Sequence, residues 1–334
     1  MARQHRTRHR LLSRLTVAVL VDKGALIPGT SRFIAEGDRP AVNALRRLVE
    51  KVVVGPYTDV AALLKWINDV KPDIVFNFTE DVNGDRQKDG HICSLLELLK
   101  LPYTGTGPRG MILSRDKAVS KLIAAQEGFK TPEFFVVRAS EPRLPQQMRF
   151  PLVVKPRFGD ASEGISQASL VRTREALLRR IAFLEQSDTE EIICEEFIAG
   201  REMLVGVIGK RVMPIRELII GRGSQNRPRL LSYRLKHDKI FQRRWSVRTA
   251  FAQLTPEQER KVRKLTLLTC SALDLGDYSR LDLKLTPSGE WVFLEGNPNP
   301  GLYPFKRSRY GLWSAIDYEK LLEQIIFGAL RRDD

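Results

Sequence analysis

The chain has 334 residues, with 55 Lys and Arg against 40 Asp and Glu, giving a formal net charge of +15. That length predicts two or three lobes at roughly 100–200 residues per domain. A content of 43% hydrophobic and 28% charged residues excludes wholesale disorder and fibrous repeats. The longest clean apolar run, Leu15 to Val21, falls far short of the ~20 residues that span a bilayer. Cys93, Cys194 and Cys270 are widely spaced and form neither a metal pattern nor a disulfide framework, which predicts buried thiols in a reducing compartment.

The charge is concentrated. Residues 1–14 hold Arg3, Arg6, Arg8, Arg10 and Arg14 and no acid, and residues 222–248 hold nine Lys and Arg with Asp238 as the only acid. The two segments carry +5 and +8, so the remainder is close to neutral. Such segments attract polyanions: nucleic acid, a membrane surface or phosphorylated small molecules. The N-terminal segment is Arg-rich like a transit peptide, but it runs straight into the strand-like LTVAVLVD and lacks the apolar core of a secretory signal. It predicts a basic tail over 1–14.

In chain order, strands are predicted at Leu15–Val21, Lys51–Val54 and Asp73–Phe78. Helices are predicted at 41–49, 60–70 and 91–100. Strands separated by helices of this length imply βαβ units and a parallel sheet over 15–112. A helix over 114–127, with Ser114 as its N-cap, opens a second region ending near 200. That region has strands EFFVV, PLVVKP and EIICEEF and a helix at 173–186. Beyond 201 come strands EMLVGVIG and RVMPIRELII, a long polar loop at 222–250, a helix at 255–274 and a hairpin at 279–296.

The hairpin, SRLDLKLTPSGEWVFLEGN, carries the sharpest chemistry. A two-residue turn at Ser288-Gly289 sets Asp282 opposite Glu295 and Arg280 opposite Asn297. The same register places Leu281, Leu283, Leu285, Val292 and Leu294 on the core face. Opposed carboxylates lie ~4.5–5.5 Å apart at Cβ and destabilise a sheet. A hard cation such as Mg²⁺, held by carboxylates and substrate phosphates, resolves that conflict.

PLVVKPRFGDASEGIS (151–166) is a strand ending in Lys155, followed by a small-residue loop with Gly159, Ala161, Ser162 and Gly164. Such a loop brings N–H groups and an ammonium near phosphate, without the spacing of a P-loop. IICEEFIAGRE (192–202) offers an apolar edge and a carboxylate, suited either to a nucleoside or to a solvated strand end.

In this order the segments resemble the ATP-grasp superfamily, specifically its D-alanine–D-alanine ligase-like branch. The resemblance rests on LLELLKLPYTGTG (95–107), RDKAVSKLIAAQEGFKTP (115–132), FPLVVKPRFGDASEGIS (150–166), ICEEFIAGREMLVGV (193–207), SRLDLKL (279–285) and FLEGNPNPG (293–301). It implies an α/β ATP-grasp fold with an N-terminal Rossmann-like parallel-sheet lobe over 15–112. Central and C-terminal α+β lobes, over 113–200 and 201–334, would clamp ATP between them.

By resemblance, Lys117 and Lys155 contact phosphate, and Ser162 and Gly164 lie in the loop over the triphosphate. Glu195, Glu196, Phe197 and Ile198 form the adenine hinge, Glu202 holds the ribose, and Phe293 and Leu294 flank the nucleotide. Asp282, Glu295 and Asn297 ligate Mg²⁺ or Mn²⁺. Arg280 and the Gly301 N–H stabilise the acyl-phosphate and tetrahedral species, and Lys236 closes over the phosphates. The implied activity is ATP-dependent carboxylate–amine ligation through an acyl phosphate, in the cytoplasm, by a protein of a branch in which dimers are usual.

Three departures bear on specificity. No Ser-x-Glu-x-x-Val-Ser run follows the first strand, Lys306-Arg307-Ser308 stands where the branch has a small serine, and His237 follows Lys236 in place of Tyr. A different amino-acid or peptide substrate is therefore expected. The competing functions are an ATP-binding protein without ligase activity and a basic nucleic-acid-binding protein. The second lacks a helix-turn-helix, zinc-finger or aromatic-rich RNA signature.

Overall fold

Thr16–Asp22 (β1), Lys51–Tyr57 (β2) and Ile74–Asn77 (β3) form a parallel sheet in the order β2-β1-β3. Arg39–Leu48 (α1) and Val60–Val70 (α2) make the crossovers, and Asp89–Leu98 (α3) follows β3. The βαβ reading of the first third therefore matches the structure. Asp59 starts α2 by accepting a bond from the Ala62 N–H, and Lys71 ends it in the left-handed region. The computed structural model describes residues 10–27, 30, 32–33, 38–159, 164–187, 189–221, 230, 238–304 and 311–332. Among them no helix is long and apolar enough to cross a membrane. Ser162, Lys236, His237 and the 306–308 run lie outside the described residues.

The helix predicted over 114–127 is two helices, Pro108–Arg115 (α4) and Lys117–Gln126 (α5). Ser114 is not the cap. Its hydroxyl is buried inside α4 and donates to the Gly110 carbonyl at 2.5 Å. Asp116 caps α5, accepting from the N–H groups of Ala118 (2.9 Å) and Val119 (3.1 Å). A carboxylate at the joint satisfies donors that a continuous helix would have paired internally.

The central region is an antiparallel sheet of Phe134–Arg138 (β4), Leu152–Pro156 (β5), Leu170–Val171 (β6) and Glu191–Glu196 (β7), in the order β4-β7-β5-β6. Arg174–Glu185 (α6) covers it, burying Leu177, Ile181 and Leu184.

The third sheet runs β11-β10-β8-β12-β13, built from Arg201–Ile208 (β8), Arg216–Ile219 (β10), Arg248–Phe251 (β11), Tyr278–Leu285 (β12) and Trp291–Pro298 (β13). Arg211–Val212 (β9) pairs with β8, so RVMPIRELII is two strands parted at Pro214. The predicted 222–250 loop contains Lys239–Arg244 (α7) and β11. Pro256–Ala272 (α8) opens with a capping box between Thr255 and Gln258.

The final helix, Tyr318–Ala329 (α9), was not anticipated. Asp317 caps it, and its buried Leu321, Leu322, Ile325 and Ile326 pack with Val17, Val19 and Leu45 in the first core. The chain's last helix thus completes the N-terminal lobe.

Candidate active site

The β12–β13 hairpin sets Asp282 opposite Glu295 and Arg280 opposite Asn297, as its sequence predicts, but by a different route. The loop has three residues, Pro287-Ser288-Gly289, closed by Thr286 N–H to the Glu290 carbonyl at 3.0 Å, with Gly289 at φ +82°. The longer loop shifts the register by one, so Leu283 faces Phe293 and Leu285 faces Trp291. A bulge between Asp282 and Leu283 then absorbs one residue of β13 and restores the pairing beyond it.

The two shifts cancel at the carboxylates but exchange the β13 side chains. Phe293 and Trp291 enter the core with Leu281, Leu283 and Leu285, in the places expected for Leu294 and Val292. Leu294 is released to a cleft wall. Phe293, expected beside the nucleotide, instead packs its ring against Phe129 at 6.1 Å.

That cleft lies between the central and C-terminal sheets and encloses about 680 Å³, its open mouth included. Its walls bring together Lys155, Glu195, Glu196, Phe197, Ile198, Glu202, Asp282, Leu294 and Glu295, drawn from β5, β7 and the residues just after it, β8, β12 and β13. Val153, Ile165, Leu230 and Lys284 line it as well and were not read from the sequence. Val153 pairs with Glu195, and Lys155 lies two residues along β5, so strand alternation puts all three on one face.

Charge pairing orders the walls. Lys155 Nζ is 2.6 Å from Glu195 Oε1, and Lys284 Nζ is 3.0 Å from Glu202 Oε2. Burial would depress the Lys155 ammonium, but Glu195, then Glu295 and Asp282, hold it above its ordinary value. Burial would likewise raise Glu195, but Lys121 and Lys155 hold it below. Arg280 grips both oxygens of Asp282, at 2.5 and 3.0 Å.

Lys117 is buried and donates to the Gly159 carbonyl at 2.7 Å, at the start of the glycine loop, and it is not among the cleft-lining residues. Gly164, at φ +66°, offers its carbonyl to Arg180 of α6. Asn297 is buried, and its Nδ2 meets no acceptor among the described residues. An orphaned amide beside opposed carboxylates has room for a bound partner, and exchanging its nitrogen and oxygen would present a third oxygen donor. The donor set, all oxygen, suits a hard divalent cation.

The LPYTGTG segment braces the NPNPG turn. Gly105 N–H donates to Asp277 Oδ2 and Thr106 N–H to Asn299 Oδ1, both at 2.7 Å. Gly301 accepts at its carbonyl from Trp313. Near Tyr303 and Tyr318 lies an acidic group that the sequence reading missed. Burial pushes Asp22 up to about 6, and burial with the charges of Glu80 and Asp22 pushes Asp38 up to about 7. Tyr303 and Tyr318 lie within the field of Asp38.

A family model, D-ala D-ala ligase C-terminus, matches residues 123–327. The chain belongs to this family. It is 30% identical to a D-alanine–D-alanine ligase of Aquifex aeolicus over 77% of this chain and 83% of that protein. It is 32% identical to an uncharacterised protein, y4sG, of Sinorhizobium fredii over 91% of this chain and 84% of the other. Among solved structures, the D-alanine–D-alanine ligase of Bacillus anthracis complexed with ATP superposes with a TM-score of 0.70 at 22% identity, covering 95% of this chain and 98% of that one. The fold is ATP-grasp, and the class of enzyme is an ATP-dependent carboxylate–amine ligase.

Proposed function

We propose that this ligase joins an amino-acid or peptide carboxylate to an amine other than the D-alanine pair, through an acyl phosphate formed with ATP in the 155–295 cleft. One observation carries the reading: the cleft unites an ammonium (Lys155), an apolar hinge (Phe197, Ile198), a carboxylate at the sugar position (Glu202) and opposed acids (Asp282, Glu295).

In this reading the base lies along Glu195–Ile198, Glu202 meets the ribose, and Lys155, paired with Glu195 beside the base, reaches toward the phosphates. Lys117, through Gly159, tethers the glycine loop. Asp282, Glu295 and Asn297 would hold Mg²⁺, which when bound neutralises phosphate charge and orients the transferred group. Arg280, fixed by Asp282 beside this group, supports the charge that builds on the substrate carboxylate oxygens, and the Gly301 N–H adds a donor. The amine displaces phosphate and loses its proton as the amide forms. Closed walls keep water from the acyl phosphate.

The Asp22, Asp38 and Glu80 carboxylates supply the negative field for a substrate ammonium that the missing Ser-x-Glu-x-x-Val-Ser run does not provide. A cytoplasmic setting belongs to the same reading, since all three cysteines are free and buried.

The test is phosphate release from Mg-ATP against a panel of carboxylate and amine pairs, with product mass analysis. A pair giving an amide in wild type and at least ~100-fold less in Asp282→Asn is expected. Phosphate release with no pair, or turnover untouched by Asp282→Asn, overturns the reading.

A further inference from the structure

Lys121 follows Lys117 by one turn of α5, so one helix face carries both ammonium groups. The Lys121 side chain is 0% exposed, and it does not line the cleft. Its Nζ donates to the main-chain carbonyl of Leu294 on β13 and stands 3.1 Å from Glu195 Oε2 on β7. Glu195 Oε1 is 2.6 Å from Lys155. The carboxylate therefore has an ammonium on each oxygen, Lys155 at the cleft and Lys121 behind it.

Both lysines also lie in the field of Glu295, and burial depresses Lys121 itself against the pull of Glu195. Lys121 and Lys155 together hold the Glu195 carboxyl below its ordinary value. The consequence of pairing both carboxylate oxygens is chemical. An ionised carboxylate only accepts hydrogen bonds, whereas a protonated one also donates.

With Lys121 behind it, Glu195 presents a fixed acceptor at the cleft wall, and Lys155 beside it presents a fixed donor. A purine with a 6-amino group matches that order, with its N–H toward Glu195 and N7 toward Lys155. A 6-oxo purine sets an acceptor against an acceptor.

We propose that Lys121 is the positioning residue that makes the cleft selective for 6-amino over 6-oxo purine nucleotides, by holding Glu195 from behind as an obligate acceptor. The proposal rests on the reading that the base lies along Glu195–Ile198.

The test is calorimetric titration of the full chain with ATP and with ITP, each with Mg²⁺, at pH 6 to 8. The variants are Lys121→Gln, Lys121→Arg and Glu195→Gln. Lys121→Gln keeps a donor for the Leu294 carbonyl while removing the charge. The ATP-over-ITP affinity ratio is expected to fall about tenfold or more in Lys121→Gln and Glu195→Gln, since a site built around one hydrogen-bond pattern loses discrimination when its acceptor can also donate. Lys121→Arg is expected to keep the ratio. In Lys121→Gln the ratio should recover as pH rises, a behaviour that general loosening does not produce.

If Lys121→Gln weakens both nucleotides alike while Glu195→Gln still collapses the ratio, the proposal fails and the base position stands. An unchanged ratio in Glu195→Gln overturns both. Should Lys121→Gln not fold, the wild type decides: its ratio is expected to be flat across the pH range, and a fall toward pH 6 means that Glu195 protonates with Lys121 in place, which refutes the proposal.

Discussion

Replacing Asp38 by Asn tests the acidic group near Tyr303 and Tyr318. Asp38 is pushed up from 3.8 to about 7, first by partial burial and then by the charges of Glu80 and Asp22. Tyr278, Tyr303 and Tyr318 face the same field. Between pH 3.8 and about 7 the native protein holds a proton that the unfolded chain has lost. Unfolding free energy therefore falls as pH rises through this window.

At 1.36 kcal/mol per pKa unit, the shift corresponds to a ceiling of about 4 kcal/mol of stability lost by pH 8. Relaxation of Asp22 and Glu80 lowers the observed value to a few kcal/mol. Asn is always neutral, so Asp38→Asn should match wild type only near pH 3.8 and below, already exceed it at pH 5, exceed it most at pH 8, and show a flatter profile. Urea unfolding at pH 5, 6, 7 and 8 measures both curves. Parallel profiles, with Asp38→Asn no more stable at pH 8, would refute the reasoning. If the carboxylates accept a substrate ammonium, the cognate amino acid should raise the pH 8 Tm of wild type more than that of Asp38→Asn.

Asp116→Ala removes the α5 cap and both Arg157 contacts, at 2.9 and 2.5 Å. About 2–3 kcal/mol of stability should go, together with a higher KM for ATP because α5 carries Lys117 and Lys121. Urea unfolding and steady-state kinetics check the pair. Gly105 sits at φ +101°, and a Cβ there would lie 2.5 Å from Asn299 Oδ1. Gly105→Ala should destabilise by about 1–3 kcal/mol and lower kcat by displacing the NPNPG turn. Burial pushes the Cys93, Cys194 and Cys270 thiols up to about 12, so a thiol reagent at pH 8 should find no reactive group in the native protein and all three after unfolding in guanidinium.

Local periodicity made much of the scaffold legible. Val60–Val70 has the bounds its apolar spacing predicts, and the parallel sheet follows from short strands alternating with helices. The missed α9 carried its own signal, Asp317 followed by Leu321, Leu322, Ile325 and Ile326. Its docking against α1 was not legible, because that packing joins segments about 280 residues apart.

The opposition of Asp282 and Glu295 was readable from hairpin alternation. Which β13 residues turn inward was not, since the longer loop and the bulge are both tertiary choices, made so that Trp291 and Phe293 fill the core. The sequence alone determined the parallel sheet of the first third, the hairpin that opposes Asp282 and Glu295, and the motifs that mark an ATP-grasp ligase. Only the tertiary structure decided that Lys121 stands behind Glu195 and that Asp22, Asp38 and Glu80 share one field. Burial and charge coupling are properties of side chains brought together through space, and residue spacing along the chain does not encode them.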